Sequence, residues 1–452
     1  MMALGLSHSA ALLLYTLAAV VGLIVLIARF KVNSIVALVL ASLFIGMCAG
    51  MEPAQLLKGF REGVGNVLGS IAMILAFGNM LGKMLEESGG AERIAATLVG
   101  WFGPRRVHWA MMVIACIVGV PVFFQVGFVL LIPLVFLLAQ QTRTPLLHVA
   151  VPVLAGLSVM HGLVPPHPGP MAAIEVLKAD VGRTMFFALL IGIPVTILAG
   201  PLLGAYLARR VALDDVHPET AAAGARTTPL PSFTTTVATV LLPVALMLLA
   251  TVVDVFMPRA TTIRRYVDFI GDPIVAMLIA AILSFYTLGI ARGFNRAQIL
   301  KFSEQCLAPI AGVLLIIGAG GGFSRVLFYS GVGDAVGAIG AQSHVPPLML
   351  AWVIAALIRL STGSATVAIT TAAGIMAPMV SHVPGVNVEL MVIAMGAGSL
   401  VFSHVNDSGF WLVKEYLNMT VTQTLRTWSI VETVVSVGAL GLVMGVDWVL
   451  RF

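Results

Sequence analysis

Charged residues are scarce in this 452-residue sequence, and their scarcity excludes a water-soluble globular fold. Asp, Glu, Lys and Arg make up 10% of the chain, whereas 59% of the residues are hydrophobic. Soluble domains carry about 25% charged residues, and so small a set cannot cover a surface that faces water. The composition therefore predicts an integral membrane protein.

Cysteine is scarce too, and the residue patterns that several kinds of chemistry need are absent. Cys48, Cys116 and Cys306 lie far apart in apolar stretches and show no metal-ligand spacing. The sequence has no GxxxxGK stretch followed by Ser or Thr for ATP, and no HExxH helix for zinc. Its net charge of +5 is spread over loops without a basic run. We therefore expect no metal, no cofactor, no nucleic-acid partner and no enzymatic activity.

Long apolar stretches are what the sequence does contain. About a dozen of them reach, or nearly reach, the roughly 20 residues that a helix needs to cross a bilayer. Most are apolar on all sides, whereas a lipid-facing β-barrel alternates apolar and polar residues. The pattern predicts an all-α polytopic membrane protein. Its clearest spans lie at residues 10–28, 34–49, 186–207, 237–253, 273–290 and 430–446.

A polar segment near the middle divides the chain into two halves. Residues 209–232 carry charged, Pro, Thr and Ala residues in place of apolar runs. We therefore predict an N-terminal transmembrane repeat at residues 1–210, a hydrophilic linker at 211–232 and a C-terminal repeat at 233–452.

The two halves resemble each other in four short stretches that recur in order at nearly one offset. NSIVAL begins at Asn33 and matches DPIVAM, which begins at Asp272. GLSVMH ends at His161 and matches SLVFSH, which ends at His404. Repeats of this kind, often inverted, are the usual plan of secondary transporters, whose substrate sites lie where corresponding helices of both halves are broken.

Two interruptions occupy matching positions of the predicted repeats. Residues 161–170 read HGLVPPHPGP and residues 404–409 read HVNDSG, and each breaks an apolar stretch. Proline removes a backbone donor and clashes with the preceding turn, so the freed carbonyls and helix ends need polar partners. Irregular backbone is tolerated at membrane depth only inside protein or along a wet cavity. We predict that the two breaks meet in a substrate site.

A second pair of interruptions predicts re-entrant hairpins. Residues 107–139 and 348–380 are each too long for one ordinary span, and they are interrupted at 119–127 and 359–368. A hairpin that enters and leaves on one side of the membrane explains both lengths. A helix that begins at depth presents free N–H groups and a positive dipole end, which together form an anion site.

These motifs carry a resemblance to the gluconate permease (GntP) family of bacterial proton symporters, within the ion-transporter superfamily. The resemblance covers nearly the whole chain. It rests on HGLVPPHPGP, GSATVA, FSHVNDSGFWLVKEY and GAGGGFSRVL, at residues 161–170, 363–368, 402–416 and 318–327.

The resemblance implies uptake of a small hydroxylated carboxylate across the inner membrane, driven by the proton gradient, through two inverted repeats with hairpins and broken helices. Other sugar acids, glycerate and D-serine are also family substrates, so the exact substrate does not follow. One position departs from the family pattern: Gln125 stands where an acidic residue is frequent, and a neutral amide cannot carry a proton. The matching motif positions are His161, Pro165, Pro166, His167, Gly169, Gly363, Ser364, Thr366, Asn406, Asp407 and Ser408.

The candidate substrate-binding residues offer hydroxyl, amide, imidazole, guanidinium or backbone N–H groups. Arg359 follows a long apolar run, and an arginine at such depth costs about 2.5–3.5 kcal/mol or more unless it is paired. Its planar fork suits a carboxylate, and Ser361, Thr362 and Ser364 are expected to cap the helix that follows. The full set is His161, His167, Arg359, Ser361, Thr362, Gly363, Ser364, Thr366, Asn406 and Ser408.

Asp407 and His161 are the candidates for proton coupling, because ionisable groups inside membranes mark ion and proton paths and histidine titrates near neutral pH. Each has a structural alternative. Asp407 could pair with Arg359 or cap a helix end, and His161 and His167 could bond carbonyls that the prolines leave free.

Two other functions stay open at this stage. One is a sodium-coupled carboxylate or D-serine-like transporter of the same architecture, because Ser, Thr, Asn and broken-helix carbonyls also suit sodium. The other, less favoured, is an intramembrane enzyme that uses His167 or Asp407, for which no nucleophile–base spacing is visible. The partners expected are a gluconate-like anion, a proton, the lipid bilayer and, as one option, a second copy of the chain.

Overall fold

Helices form all of the regular structure in the computed structural model, which describes residues 8–211, 213, 230–257, 261–332, 345–380, 385–405 and 407–451. In the first half they are α1 (His8–Ala28), α2 (Ser34–Cys48), α3 (Pro53–Glu87), α4 (Gly90–Phe102), α5 (Val107–Gly119), α6 (Phe124–Thr142), α7 (Leu146–Leu163), α8 (Pro168–Leu177), α9 (Val181–Ile197) and α10 (Leu203–Arg210).

The second half begins after the predicted linker, most of which lies outside the described residues. Its helices are α11 (Phe233–Phe256), α12 (Thr262–Gly271), α13 (Pro273–Ser284), α14 (Arg296–Gln305), α15 (Ala311–Tyr329), α16 (Pro347–Thr362), α17 (Ala365–Val380), α18 (Val388–Gly398), α19 (Ser408–Tyr416), α20 (Val421–Arg426) and α21 (Trp428–Leu450). Short 3-10 or π-helical turns join several of them.

The predicted polytopic all-α architecture is confirmed. Eight of the described helical stretches are long and apolar enough to cross a membrane, and five shorter apolar helices accompany them. The eight are Pro53–Glu87, Phe124–Thr142, Leu146–Leu177, Val181–Arg210, Phe233–Asp254, Pro273–Arg292, Arg296–Tyr329 and Val421–Leu450.

Corresponding residues of the two halves start corresponding helices. Asn33 caps α2 by accepting a hydrogen bond from the Ile35 N–H at 2.9 Å, and Asp272 caps α13 by accepting one from Ile274 at 2.9 Å. Further along each half come two helices joined by a short break, α5–α6 and α16–α17, and then a broken helix, α7–α8 and α18–α19. The order of these elements is thus the same in both halves, while the repeat and its inverted relation stay predictions.

Two broken helices occupy the centre of the molecule. Nearly every residue of α7 is buried, and so is every residue of α18 from Leu390 to Gly398. A membrane helix buried on all sides is surrounded by protein rather than by lipid. Because α7 ends within the first predicted interruption and α18 ends shortly before the second, the chain breaks in the interior of the protein.

Candidate functional site

A cavity of about 120 Å³ lies where the two interruptions come together. Its walls are the beginnings of α6, α17 and α19, the ends of α7 and α16, and the first turns of α21. This volume is the space open to the centre of a water molecule, and a single water needs roughly 10–15 Å³ of it. The cavity therefore has room for several waters or a small solute. His161 from the first interruption and Asp407 from the second both line it.

Three helices begin at this cavity. Phe124 starts α6, Ala365 starts α17 and Ser408 starts α19, and all three residues line the wall. The first turn of a helix has N–H groups without intrahelical partners and carries the positive end of the helix dipole. The ends of α6 and α17 have no carboxylate cap and favour an anion in the cavity, whereas the Asp407 carboxylate already occupies this place at α19.

The local sequence explains why α17 and α19 begin there. The Ser364 hydroxyl accepts a hydrogen bond from the Val367 N–H at 3.3 Å, and the Asp407 carboxylate accepts one from Gly409 at 2.8 Å. Both are N-cap contacts of the kind that Ser and Asp favour.

Arg359 and Asp407 form a buried ion pair in the cavity wall. Nη2 of Arg359 donates to Oδ2 of Asp407, and Nη1 donates to the Gly363 carbonyl at 2.7 Å. Only 5% of Arg359 and 7% of Asp407 are exposed. Gly363 has a φ of +71°, which turns the chain back at the end of α16. Nε of Arg359 is buried and has no hydrogen-bond partner among the described residues.

The Asp407 carboxylate accepts hydrogen bonds from other donors besides Arg359. The Ser403 hydroxyl donates to it, in addition to the Gly409 N–H, and Trp428 Nε1 donates to the Ser403 hydroxyl at 2.8 Å. These contacts correspond to the structural alternatives foreseen for Asp407, ion pairing and capping. Its proton-carrying role stays a prediction.

The two predicted histidines lie in different surroundings. His161 lines the cavity, and its Nδ1 is buried without a partner in the described part of the chain. His167 does not line the cavity. Its Nε2–H donates to the Gly119 carbonyl at 2.6 Å, which ties the start of α8 to the end of α5. The His167 ring therefore links two of the helix breaks.

Seven of the predicted residues line the cavity, whereas His167, Ser361 and Thr362 do not. Those that line it are His161, Arg359, Gly363, Ser364, Thr366, Asp407 and Ser408. Ser361 and Thr362 belong to the last turn of α16, where their hydroxyls donate to the Leu357 and Ile358 carbonyls. The expectation that these two cap α17 is wrong, because both belong to α16, which ends at Gly363. The Thr362 hydroxyl also accepts from the Ser364 N–H at 3.4 Å, but neither hydroxyl accepts from an N–H of α17 in the described structure. Asn406 lies outside the described residues.

Sequence reasoning missed one ionisable residue of the wall. Glu432, on α21, is 1% exposed and lines the cavity, and the Ser158 hydroxyl of α7 donates to its carboxyl group. The sequence does contain a signal, since a single carboxyl interrupts the apolar stretch at residues 430–446, and intramembrane carboxyls mark functional sites. Gln125, noted only as a departure from the family pattern, also lines the cavity.

Comparison with known proteins identifies close relatives. The model of the GntP family of permeases matches residues 11–449. The gluconate permease of Pseudomonas aeruginosa is 50% identical over 99% of this chain and 100% of its own length. The high-affinity gluconate transporter of Escherichia coli is 44% identical over 93% of this chain and 96% of its own. The D-serine transporter DsdX of the same bacterium is 38% identical over 96% and 98%.

The fold is shared with solved transporter structures of low sequence identity. The YdaH transporter of Alcanivorax borkumensis matches with a TM-score of 0.59 at 19% identity, over 87% of this chain and 88% of its own. At this identity the match concerns the fold alone.

Proposed function

We propose, from the premise that this chain belongs to the GntP family of permeases, that it imports gluconate or a related hydroxylated carboxylate together with a proton. The protein is a multi-pass membrane protein of the bacterial inner membrane, and the names of its relatives are those of permeases and transporters rather than enzymes. The observation that carries the proposal is the cavity in which one arginine, three helix N-termini and several hydroxyl groups face a common space.

The carboxylate of the substrate fits the positive features of the cavity. Arg359 uses two nitrogens for Asp407 and Gly363 and keeps Nε unpartnered in the described structure. An unpartnered buried donor costs free energy, which a bound carboxylate relieves. The N–H groups at the starts of α6 and α17 supply further donors, because no carboxylate caps these two helices.

The hydroxyl groups of the substrate fit the uncharged polar groups of the cavity. Ser364, Thr366 and Ser408 each present a hydroxyl group that both donates and accepts. His161 adds an imidazole with a buried, unpartnered Nδ1 in the described structure. A polyol chain needs such mixed donors and acceptors, since a buried substrate hydroxyl without a partner weakens binding.

Alternating access is proposed to rest on the two repeats, residues 1–210 and 233–452, joined by the linker at 211–232. The shared order of caps, paired helices and broken helices in the two halves supports this division. In such transporters one part of the fold moves against the other around a fixed site.

Counterflow in reconstituted vesicles tests the proposed substrate and coupling. Vesicles preloaded with gluconate should take up labelled gluconate, and an imposed pH gradient without sodium should drive accumulation. A sodium gradient at fixed pH should drive none. Absence of gluconate counterflow would contradict the substrate, and accumulation driven only by sodium would contradict the proton coupling.

D-serine is a second candidate substrate, because one relative over nearly the whole chain is a D-serine transporter. Competition separates the two candidates. If gluconate is the substrate, unlabelled gluconate should suppress counterflow at lower concentrations than D-serine, glycerate or other sugar acids.

Two serines on either side of Gly363 provide a matched test of the site. Ser364→Ala removes both a cavity hydroxyl and the cap of α17, contacts worth about 1–2 kcal/mol. We expect the half-saturating gluconate concentration to rise about 5- to 30-fold. Ser361→Ala should stay within about twofold of wild type, because its hydroxyl bonds only the preceding turn in the described structure and does not line the cavity. Equal effects of the two substitutions in the counterflow assay would contradict the placement of the site.

A further inference from the structure

We propose that the carboxyl group of Glu432, held by Ser158, is the proton-binding site of the transport cycle, an inference that rests on the proton symport proposed above. Glu432 lies about one helical turn after Trp428, the first residue of α21. It forms part of the cavity wall and is 1% exposed. A proton carrier must be shielded from bulk water and yet reach the substrate space, and Glu432 meets both conditions.

Glu432 has fewer fixed partners than Asp407. Among the described residues, the hydrogen bond from Ser158 is the only one to the Glu432 carboxyl group, and no Lys or Arg lies within ion-pair distance. Asp407 instead accepts from Arg359, Ser403 and Gly409. The oxygens of Asp407 are thus occupied by an arginine and two further donors, whereas Glu432 has one rotatable partner, so Glu432 is better placed to exchange a proton.

Ser158 suits both protonation states of its partner. A serine hydroxyl can rotate and has one donor and two acceptor positions. It donates to the charged carboxylate and can accept from the protonated carboxyl group. The proton adds to a carboxylate oxygen on loading and leaves the same oxygen on release, so no other reactant is needed.

The ionisable groups that face Glu432 explain how proton and substrate are coupled. They are His161 from α7, Arg359 from α16 and Asp407 at the start of α19. The buried residues of α9, α18 and α20, which also pack against α21, carry no ionisable side chains. The negative charge of Asp407 balances the positive charge of Arg359. A deprotonated Glu432 therefore repels an entering anion, whereas a protonated Glu432 does not. Proton binding and anion binding therefore favour each other reciprocally.

Glu432→Gln tests the proposal in reconstituted vesicles, because the amide keeps the shape of the carboxyl group but binds no proton. We expect accumulation driven by a pH gradient to fall at least tenfold relative to gluconate counterflow in the same variant. Glu415→Gln is the matched control, since the Glu415 side chain is 69% exposed, and it should keep the wild-type ratio. A wild-type ratio in Glu432→Gln overturns the proposal.

A direct proton measurement separates this proposal from the proposed function and from a purely structural role. In weakly buffered detergent solution, wild-type protein should take up protons when gluconate is added, and Glu432→Gln should take up none. Unchanged uptake by the variant overturns the assignment of Glu432. If the wild type shows gluconate counterflow but neither proton uptake nor pH-driven accumulation, the symport itself fails. If Glu432→Gln does not fold, Ser158→Ala replaces it, and an unchanged pH midpoint of gluconate uptake then overturns the proposal.

Discussion

Arg359→Lys is expected to lower gluconate uptake at least 10-fold, although it preserves the positive charge. Lysine has no planar fork, so it cannot hold Asp407 and the Gly363 carbonyl together as Arg359 does. Lysine also lacks the Nε–H proposed to meet the substrate carboxylate. A hydrogen bond to a charged group is worth about 1.5–3 kcal/mol, which corresponds to about 10- to 150-fold in affinity. Counterflow and equilibrium binding of labelled gluconate measure the loss.

A double substitution separates the ion pair from the contact with substrate. If Arg359 served only to neutralise Asp407, Arg359→Gln combined with Asp407→Asn would restore binding, since no unpaired charge would remain. We expect strongly non-additive effects on stability, because the two residues are in contact, but no recovery of gluconate binding. Full recovery would contradict a role for Arg359 in holding the substrate carboxylate.

An exposed ion pair supplies the control for this experiment. Arg183 donates to Asp254 at 3.3 Å, and 56% of its side chain is exposed. Exposed pairs contribute about 0–1 kcal/mol, so Arg183→Gln should leave gluconate binding within about threefold of wild type. A loss as large as that of Arg359→Lys would show that any change of surface charge disturbs transport.

The sequence predicted the architecture well where composition decides it. Apolar runs identified α2 nearly to the residue and α13 at its start, because a bilayer requires long apolar helices and Asn33 and Asp272 mark their starts. The predicted span of α13 continued to residue 290, beyond its end at Ser284. The helix α3 was not among the clear spans. Its first turns carry Lys58, Arg61 and Glu62. These charged residues lower the local hydropathy, so hydropathy alone does not predict one continuous helix.

The site was predicted where a polar residue breaks apolar sequence. His161, Arg359 and Asp407 were visible for that reason, and all three line the cavity. Glu432 was overlooked because the apolar stretch around it is long enough to be predicted as a membrane span despite one carboxyl group. Its environment depends on Ser158, which is distant in sequence, and such a contact is established only by tertiary packing.

Gly396→Ala is expected to lower both stability and transport, because α7 and α18 touch backbone to backbone just before they break. A Cβ at Gly396 would collide with the Gly162 carbonyl oxygen and lie 3.2 Å from Leu163 Cδ2. A backbone atom cannot move aside as a side chain can, so the helices must separate. Overpacking of this kind costs about 1–3 kcal/mol, and a shift of about 1 Å at a functional site can cost about 100-fold in rate.

Thermal unfolding in detergent and gluconate counterflow measure the two effects, with Gly441→Ala as the matched control. Gly441 lies in α21, and a Cβ there would meet nothing within 4 Å. Alanine is favoured over glycine in a helix by roughly 0.5–1 kcal/mol, so this control should unfold at the wild-type temperature or above it and transport normally. If Gly396→Ala behaved in the same way, the close crossing of α7 and α18 would not be what brings the two interruptions together.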